Sequence, residues 1–162
     1  MLVNPIPRPA RWPGGYTILE LMVALALGAL ALGLAAPALD SLIARQRLRA
    51  ASFDLLTDLT LARSESLKRA STVDLRPVDN QSDWRAGWTL STVDGQVLTQ
   101  RPALGGALRI VNAPPRVQFN DQGRVDADTQ VRFALIDGHG GERCITLDPS
   151  GRPRSVAAGC SP

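Results

Sequence analysis

From Leu21 to Leu39 the chain runs for nineteen residues without one charged or hydrogen-bonding side chain. Roughly twenty such residues, wound as a helix, match the hydrocarbon thickness of a bilayer. A stretch of this kind has to lie in lipid or in some other apolar interior, so it cannot be the surface of an ordinary soluble globule. The 162-residue chain is otherwise polar and Arg-rich, and its length beyond the apolar run suits a single further domain. With 44% hydrophobic residues it is too apolar for intrinsic disorder, and with 14 glycines too Gly-poor for a collagen-like repeat. The formal charge of +3 includes Arg8 and Arg11, which precede the apolar run. Without them sixteen basic residues face fifteen acidic ones. That balance selects no partner by itself; only a local cluster of charge would. Lys68 is the sole lysine, so almost every cation here is a guanidinium.

Three readings fit residues 1–39. A secretory signal peptide needs a basic start and a small-residue cleavage region, and Arg8, Arg11 and Ala35-Ala36-Pro37-Ala38 supply both. A plain membrane anchor also fits, but it leaves Glu20 unexplained, since an acid at the centre of a membrane helix costs about 2.5–3.5 kcal/mol on insertion scales. The third reading accounts for that acid. The segment Gly14-Gly15-Tyr16-Thr17-Ile18-Leu19-Glu20-Leu21-Met22 resembles the processing site of type IV prepilins and type II secretion pseudopilins. The resemblance implies that a membrane-embedded prepilin peptidase cuts between Gly15 and Tyr16 and methylates the new amine of Tyr16. It also makes Glu20 the family's acidic residue. An α-ammonium has a pKa of about 7.7–8.0 and is mostly charged at neutral pH. Glu20 can pair with that amine on a neighbouring subunit, so its burial is offset on assembly. Tyr16 stands where phenylalanine is usual, and Ile18-Leu19 inverts the common order; neither change alters the chemistry asked of those positions.

The leader, residues 1–15, holds Pro5, Pro7 and Pro13 and is expected to be unstructured and cytoplasmic. A helix is predicted from about Thr17 to Arg69. Residues 16–39 form its apolar, membrane or filament-core half, weakened by Gly28, Gly33 and Pro37; Pro37 is expected to kink or locally melt it. Residues 40–69 form an amphipathic half. There Leu48, Ala51, Leu55, Leu59 and Ala62 recur at three- and four-residue steps as one stripe. Arg45, Arg47, Arg49, Asp54, Asp58, Arg63 and Lys68 mostly fall on the other faces.

Residues 70–162 read as a β domain. Candidate strands are 72–76, 88–93, 97–100, 108–111, 117–119, 131–136, 144–147 and 154–156. Asp94-Gly95, Asp121-Gln122-Gly123 and Asp148-Pro149-Ser150-Gly151 are turn signals between them. Short strands at this spacing predict antiparallel sheet, and a helix followed only by strands predicts an α+β fold. Leu61-Ala62-Arg63-Ser64-Glu65-Ser66, then Trp84 with Gly87-Trp88, then Gly123-Arg124 and Gly151-Arg152, occur in the order seen in FimT/GspH minor pilins and pseudopilins. The chain is similar to that family from Gly14 almost to its end. The likeness implies a pilin-like fold, with a long N-terminal helix packed on a C-terminal antiparallel β domain. It implies a single-pass inner-membrane protein with that domain in the periplasm, partnered by other pilins or pseudopilins in a filament.

Catalysis finds little support in the residue inventory. His139 is the only histidine, and no nucleophile elbow accompanies the oxyanion-loop-like Gly138-His139-Gly140-Gly141, which also reads as a plain inter-strand loop. Cys144, Cys160 and His139 offer three zinc ligands without the paired-cysteine spacing of a zinc site. No cofactor is indicated. The oxidising periplasm implied by the family favours a Cys144–Cys160 disulfide over free thiols.

The remaining candidate is Gly151-Arg152-Pro153-Arg154. Arginines two apart on an extended strand share a side, and guanidinium groups bind phosphate bidentately. In the FimT branch a Gly-Arg-x-Arg motif near the C-terminus is associated with DNA binding in natural transformation, which makes Arg152 and Arg154 candidate contacts to double-stranded DNA. Arg124, Arg132 and Arg143 are candidates to extend that patch. The alternative is a GspH-type pseudopilin of a type II secretion system, in which the same residues form a turn and a solvated strand edge acting in protein export.

Overall fold

The computed structural model describes residues 15–79, 83–126 and 130–160, without the side chains of 35–37. The predicted leader other than Gly15, and the expected distortion at Pro37, lie outside what is described. The chain divides into two compact units, Met1–Ala38 and Leu39–Pro162. Helix α1 runs from Ile18 to Arg69. Its start is set by Thr17, whose hydroxyl accepts the Glu20 N–H at 3.2 Å, satisfying one of the free donors of the first turn. In the first unit every described residue is exposed, Leu25 and Met22 at 66% and 64% among them. No single helix of the described residues is long and apolar enough to cross a membrane; Ile18–Leu34 and Ala38–Arg69 meet that measure together.

In the second unit the stripe predicted from spacing is the buried face of α1. Leu55, Leu59 and Ala62 are wholly buried, and Leu48 and Ala51 nearly so. Eight strands follow: β1 (Val73–Pro77), β2 (Trp88–Thr92), β3 (Val97–Arg101), β4 (Arg109–Val111), β5 (Val117–Phe119), β6 (Val131–Ile136), β7 (Glu142–Leu147) and β8 (Pro153–Val156). They make two antiparallel four-stranded sheets, ordered β3-β2-β1-β5 and β4-β6-β7-β8. This is the α+β, pilin-like architecture expected from the sequence. Strand β7 begins two residues earlier than the hydrophobic pattern suggested, because Glu142 and Arg143 pair with Ile136 and Leu135 across the hairpin. Backbone pairing there overrides the polarity of the side chains.

Strand alternation aims Val73, Leu75, Leu90 and Phe119 from one sheet, and Phe133, Leu135, Ile145 and Leu147 from the other, into one core with the α1 stripe. Two tryptophans fill its middle. Trp84 sits on a 3-10 turn (Trp84–Ala86), edge-on to Phe133 with ring centroids 5.1 Å apart, and its indole N–H donates to the Pro114 carbonyl at 2.8 Å. Trp88 donates to Asp58 on α1, also at 2.8 Å. These contacts give the Trp84 and Gly87-Trp88 signature a packing role.

The expectation that Asp58 lies on an outer face of α1 is corrected here. It is 1% exposed and accepts from Trp88 Nε1, from Arg101 Nε at 2.8 Å and from Arg101 Nη2 at 3.1 Å. Asp54, one helical turn earlier, takes the remaining Arg101 nitrogen at 3.2 Å. The hydrogen bond to Asp58 raises the Arg101 pKa above its ordinary value. Burial of the carboxylate is thus matched by three donors.

Candidate functional site

The Gly151-Arg152-Pro153-Arg154 segment begins in a turn built by its own sequence. The Asp148 carboxylate accepts from the Ser150 hydroxyl and from the Arg152 N–H, the latter at 3.1 Å, and the Gly151 N–H donates to the Asp148 carbonyl at 2.8 Å. Ser150 first, then the Arg152 backbone, holds the Asp148 carboxyl below the usual carboxylate range, so it is ionised at neutral pH. Gly151 is buried with φ +77°, and a Cβ on it would strike the Gly123 carbonyl oxygen. Only glycine meets both demands. Gly123, at φ +68°, lies in turn against Leu67 and Arg63 of α1, and Arg63 Nε donates to its carbonyl at 3.3 Å. The two Gly-Arg turns of the sequence are therefore stacked on one another and braced by the helix.

This stack delivers two exposed arginines. Arg152 precedes β8 and Arg154 is its second residue; β8 is the outermost strand of its sheet. Pro153, with no N–H to offer, starts that edge strand. On the helix side the Ser155 and Ser52 hydroxyls are 3.3 Å apart. Between β8 and α1 runs an open groove of about 480 Å³, lined by Leu56, Thr60, Arg63, Ser64, Leu67, Arg152, Pro153 and Arg154. Among the described residues no carboxylate forms an ion pair with Arg152 or Arg154.

Of the arginines that the sequence offered as extensions, register separates them. Arg132 pairs with Thr146, and Thr146 with Arg154, so Arg132 and Arg154 share one face of the sheet with a single strand between them. Arg143 pairs with Leu135 and belongs to the opposite face. Arg124 follows Gly123 in the stacked turn and is exposed. Arg63 was read from sequence only as part of the polar face of α1; helical spacing could not show that it meets the Arg152 turn.

Cys144 and Cys160 form a disulfide with Cα atoms 4.9 Å apart, which ties the C-terminal tail to β7 and removes both sulfurs from any zinc site. His139 sits in the β6–β7 turn, its imidazole 3.6 Å from the Asp40 carboxylate of α1. Asp137 shapes that turn by accepting the N–H groups of His139 and Gly141 at 2.8 and 2.7 Å, so the glycine-rich loop is a hairpin turn. Among the described residues no group of three His, Cys, Asp or Glu side chains is placed to hold a metal. Gly15, Tyr16 and Glu20 are all exposed.

The family model "Type II transport protein GspH" matches residues 51–151, more than half of the chain and every element from mid-α1 to the Gly151 turn. The chain belongs to the GspH family. It is thus a pilin-class subunit, a minor pilin or pseudopilin. Two crystal structures of the type IV minor pilin FimU of Pseudomonas aeruginosa (strain PAO1) share its fold. The first superposes with TM-score 0.60 at 21% identity, covering 69% of this chain and 90% of FimU. The second, in another crystal form, gives 0.54 at 21% identity, over 67% and 91%. No curated protein sequence matches the chain. Among the residues inside the GspH match, the tryptophans, Asp58 and the two stacked glycines have structural roles, and the guanidinium of Arg152 is left facing solvent just beyond it.

Proposed function

We propose that this GspH-family chain is a minor subunit of a type IV pilus-like filament that binds double-stranded DNA through Arg152 and Arg154. It enters the inner membrane through residues 16–39, with the β domain in the periplasm. The prepilin peptidase cleaves it between Gly15 and Tyr16 and methylates Tyr16. Glu20 then pairs with the terminal amine of a neighbouring pilin as the filament forms. The observation that carries the DNA reading is the pair of exposed guanidinium groups at an edge strand, with no ion pair to a carboxylate among the described residues, held out by a buried glycine turn. Phosphate contacts of this kind give sequence-independent, salt-sensitive affinity.

A second reading is favoured by the family description itself: a pseudopilin of a type II secretion system, with Arg152 and Arg154 as a solvated strand edge that resists sheet-to-sheet association. The two part in one experiment. The full chain, held in a non-ionic detergent, is titrated with a short random-sequence DNA duplex across a salt series, beside the Arg152→Ala, Arg154→Ala double variant. The DNA reading expects binding that weakens with salt and a log–log salt slope reduced by about 1.8 in the variant, from two lost phosphate contacts. Absence of binding at low salt overturns it and leaves a structural minor pilin or a secretion pseudopilin; equal binding by the variant removes Arg152 and Arg154 from the DNA site.

A further inference from the structure

The groove between α1 and β8 has a second wall that the Gly-Arg-x-Arg segment does not supply. Arg63 reaches across from α1 so that its Nε holds the Gly123 carbonyl. Its side chain also packs against the Gly151 turn through Cδ, and Arg63 and Arg152 line the same groove. That single Nε–H contact engages one of five donors, and a guanidinium offers its remaining N–H groups in a fixed fork. The floor between the arginines is apolar, formed by Leu56, Leu67 and Pro153. Leu67 is 48% exposed there, with Gly123 packed on one side of it. Such a trough, cationic on both walls and apolar at its base, matches a chain of phosphodiesters, whose charge meets the arginines while sugar carbons lie on the floor. An isolated anion would leave the floor wet, and a neutral peptide would leave three guanidinium groups unmatched.

We infer that α1 is half of the nucleic-acid site: Arg63 is a third phosphate contact, and the DNA backbone crosses the β8 edge at Arg154 into the groove between α1 and β8, without extending over the sheet to Arg132. This rests on the DNA reading above and adds to it a place and a residue. Arg63 acts in two capacities, positioning the Gly123–Gly151 stack and meeting phosphate, so a substitution there needs a companion that leaves the stack alone. Ser64 is that companion. It is exposed on the helix wall of the groove, and its hydroxyl only returns to the Leu61 carbonyl at 2.9 Å. Glutamate is at least as good a helix former as serine, so Ser64→Glu adds a negative charge to the groove without disturbing the fold.

The test uses the full chain in non-ionic detergent and the same random-sequence duplex. Ser64→Glu is expected to bind about tenfold more weakly or worse at low salt, through like-charge opposition to phosphate. Arg63→Gln is expected to lower the salt slope by about 0.9, one contact's worth. The outer face is probed by Arg132→Gln, expected to leave the slope unchanged. If the Arg152→Ala, Arg154→Ala variant loses binding while Ser64→Glu and Arg63→Gln bind as the parent does, the groove assignment is wrong and the DNA reading stands. If Arg132→Gln alone lowers the slope, the DNA lies on the outer face. If the parent chain binds no DNA, both fall together.

Discussion

Asp58 and Gly151 show how single residues are fixed by what surrounds them. Asp58 has every one of its hydrogen-bonding partners on the β2 and β3 strands, through Trp88 and Arg101, so one carboxylate locks α1 to the first sheet. Its side chain is 2% exposed whereas that of Arg101 is 32% exposed, so the acid bears the greater desolvation and depends on its donors. Removing the acid leaves an indole N–H buried without an acceptor and an arginine held only by Asp54. Asp58→Ala is expected to destabilise the folded chain by about 3–5 kcal/mol, the range for breaking a buried pair from one side. Urea unfolding followed by tryptophan fluorescence reads this directly, because Trp84 and Trp88 both report on the core. A loss below about 1 kcal/mol, the net value of an ordinary hydrogen bond, would show that the network contributes little. Gly151 is constrained by backbone and neighbour at once, which is why the residue before Arg152 is a glycine whether or not DNA is the ligand. The glycine of the motif is explained by packing; only the arginines remain for function.

At the scale of elements, the disulfide and β8 depend on each other. β8 is an edge strand of four residues, held on one side by β7 and on the other by the Ser52–Ser155 contact. The Cys144–Cys160 bond, closing a loop with a sequence separation of 16, keeps the segment after β8 on the same sheet. Replacing both cysteines by serine is expected to cost about 3 kcal/mol by loop-closure entropy. The cost should be largest at the C-terminal end, so amide exchange ought to rise in 153–160 before it rises in β1 or β2. Uniform exchange across the domain would mean that the tail is not an independent opening unit.

Much of this layout was legible in the chain. The α1 stripe and the strand centres follow from apolar periodicity, and the turns at 94–95, 121–123 and 148–151 follow from glycine and Asx chemistry. What periodicity does not carry is which polar residue is buried. In helical projection Asp58 falls within the stripe, about 20° from Ala51 and about 60° from Leu55 at 3.6 residues per turn, but spacing supplies no partner for a buried carboxylate; Trp88 and Arg101, distant in sequence, make that burial possible. Strand register was equally hidden, so the separation of Arg132 from Arg143, and the approach of Arg63 to the Gly123 and Gly151 turns, had no sequence signal.

At the scale of the whole molecule, the chain joins a compact unit with an apolar core of its own to one whose described residues form none. In Leu39–Pro162 the apolar side of α1 is covered by two sheets. In Met1–Ala38 the side chains from Tyr16 to Leu34 are exposed, and no described residue of that unit covers them. Burial of apolar surface at about 25 cal/mol per Å² makes such a segment a strong driver of association with lipid or with like helices. Glu20 is the one charge within it; its N–H is capped by Thr17, and its carboxylate is exposed. On the reading proposed above, its use belongs to the assembled state. Gly15 is open on all sides, with nothing near an added Cβ, so Gly15→Ala leaves the fold untouched and any change in mature mass reports recognition by the peptidase alone. Glu20→Ala is expected to be cleaved normally, as judged by intact mass, but to be depleted from sheared filaments relative to the membrane fraction. An uncompensated α-ammonium among packed apolar helices costs several kcal/mol, enough to lower incorporation more than tenfold. Glu20→Gln separates charge from size: it should fail as Glu20→Ala does if the pairing is ionic. Filament incorporation of Glu20→Gln at the parent level would show that a neutral hydrogen bond to the amine suffices, and incorporation of both variants would remove Glu20 from assembly.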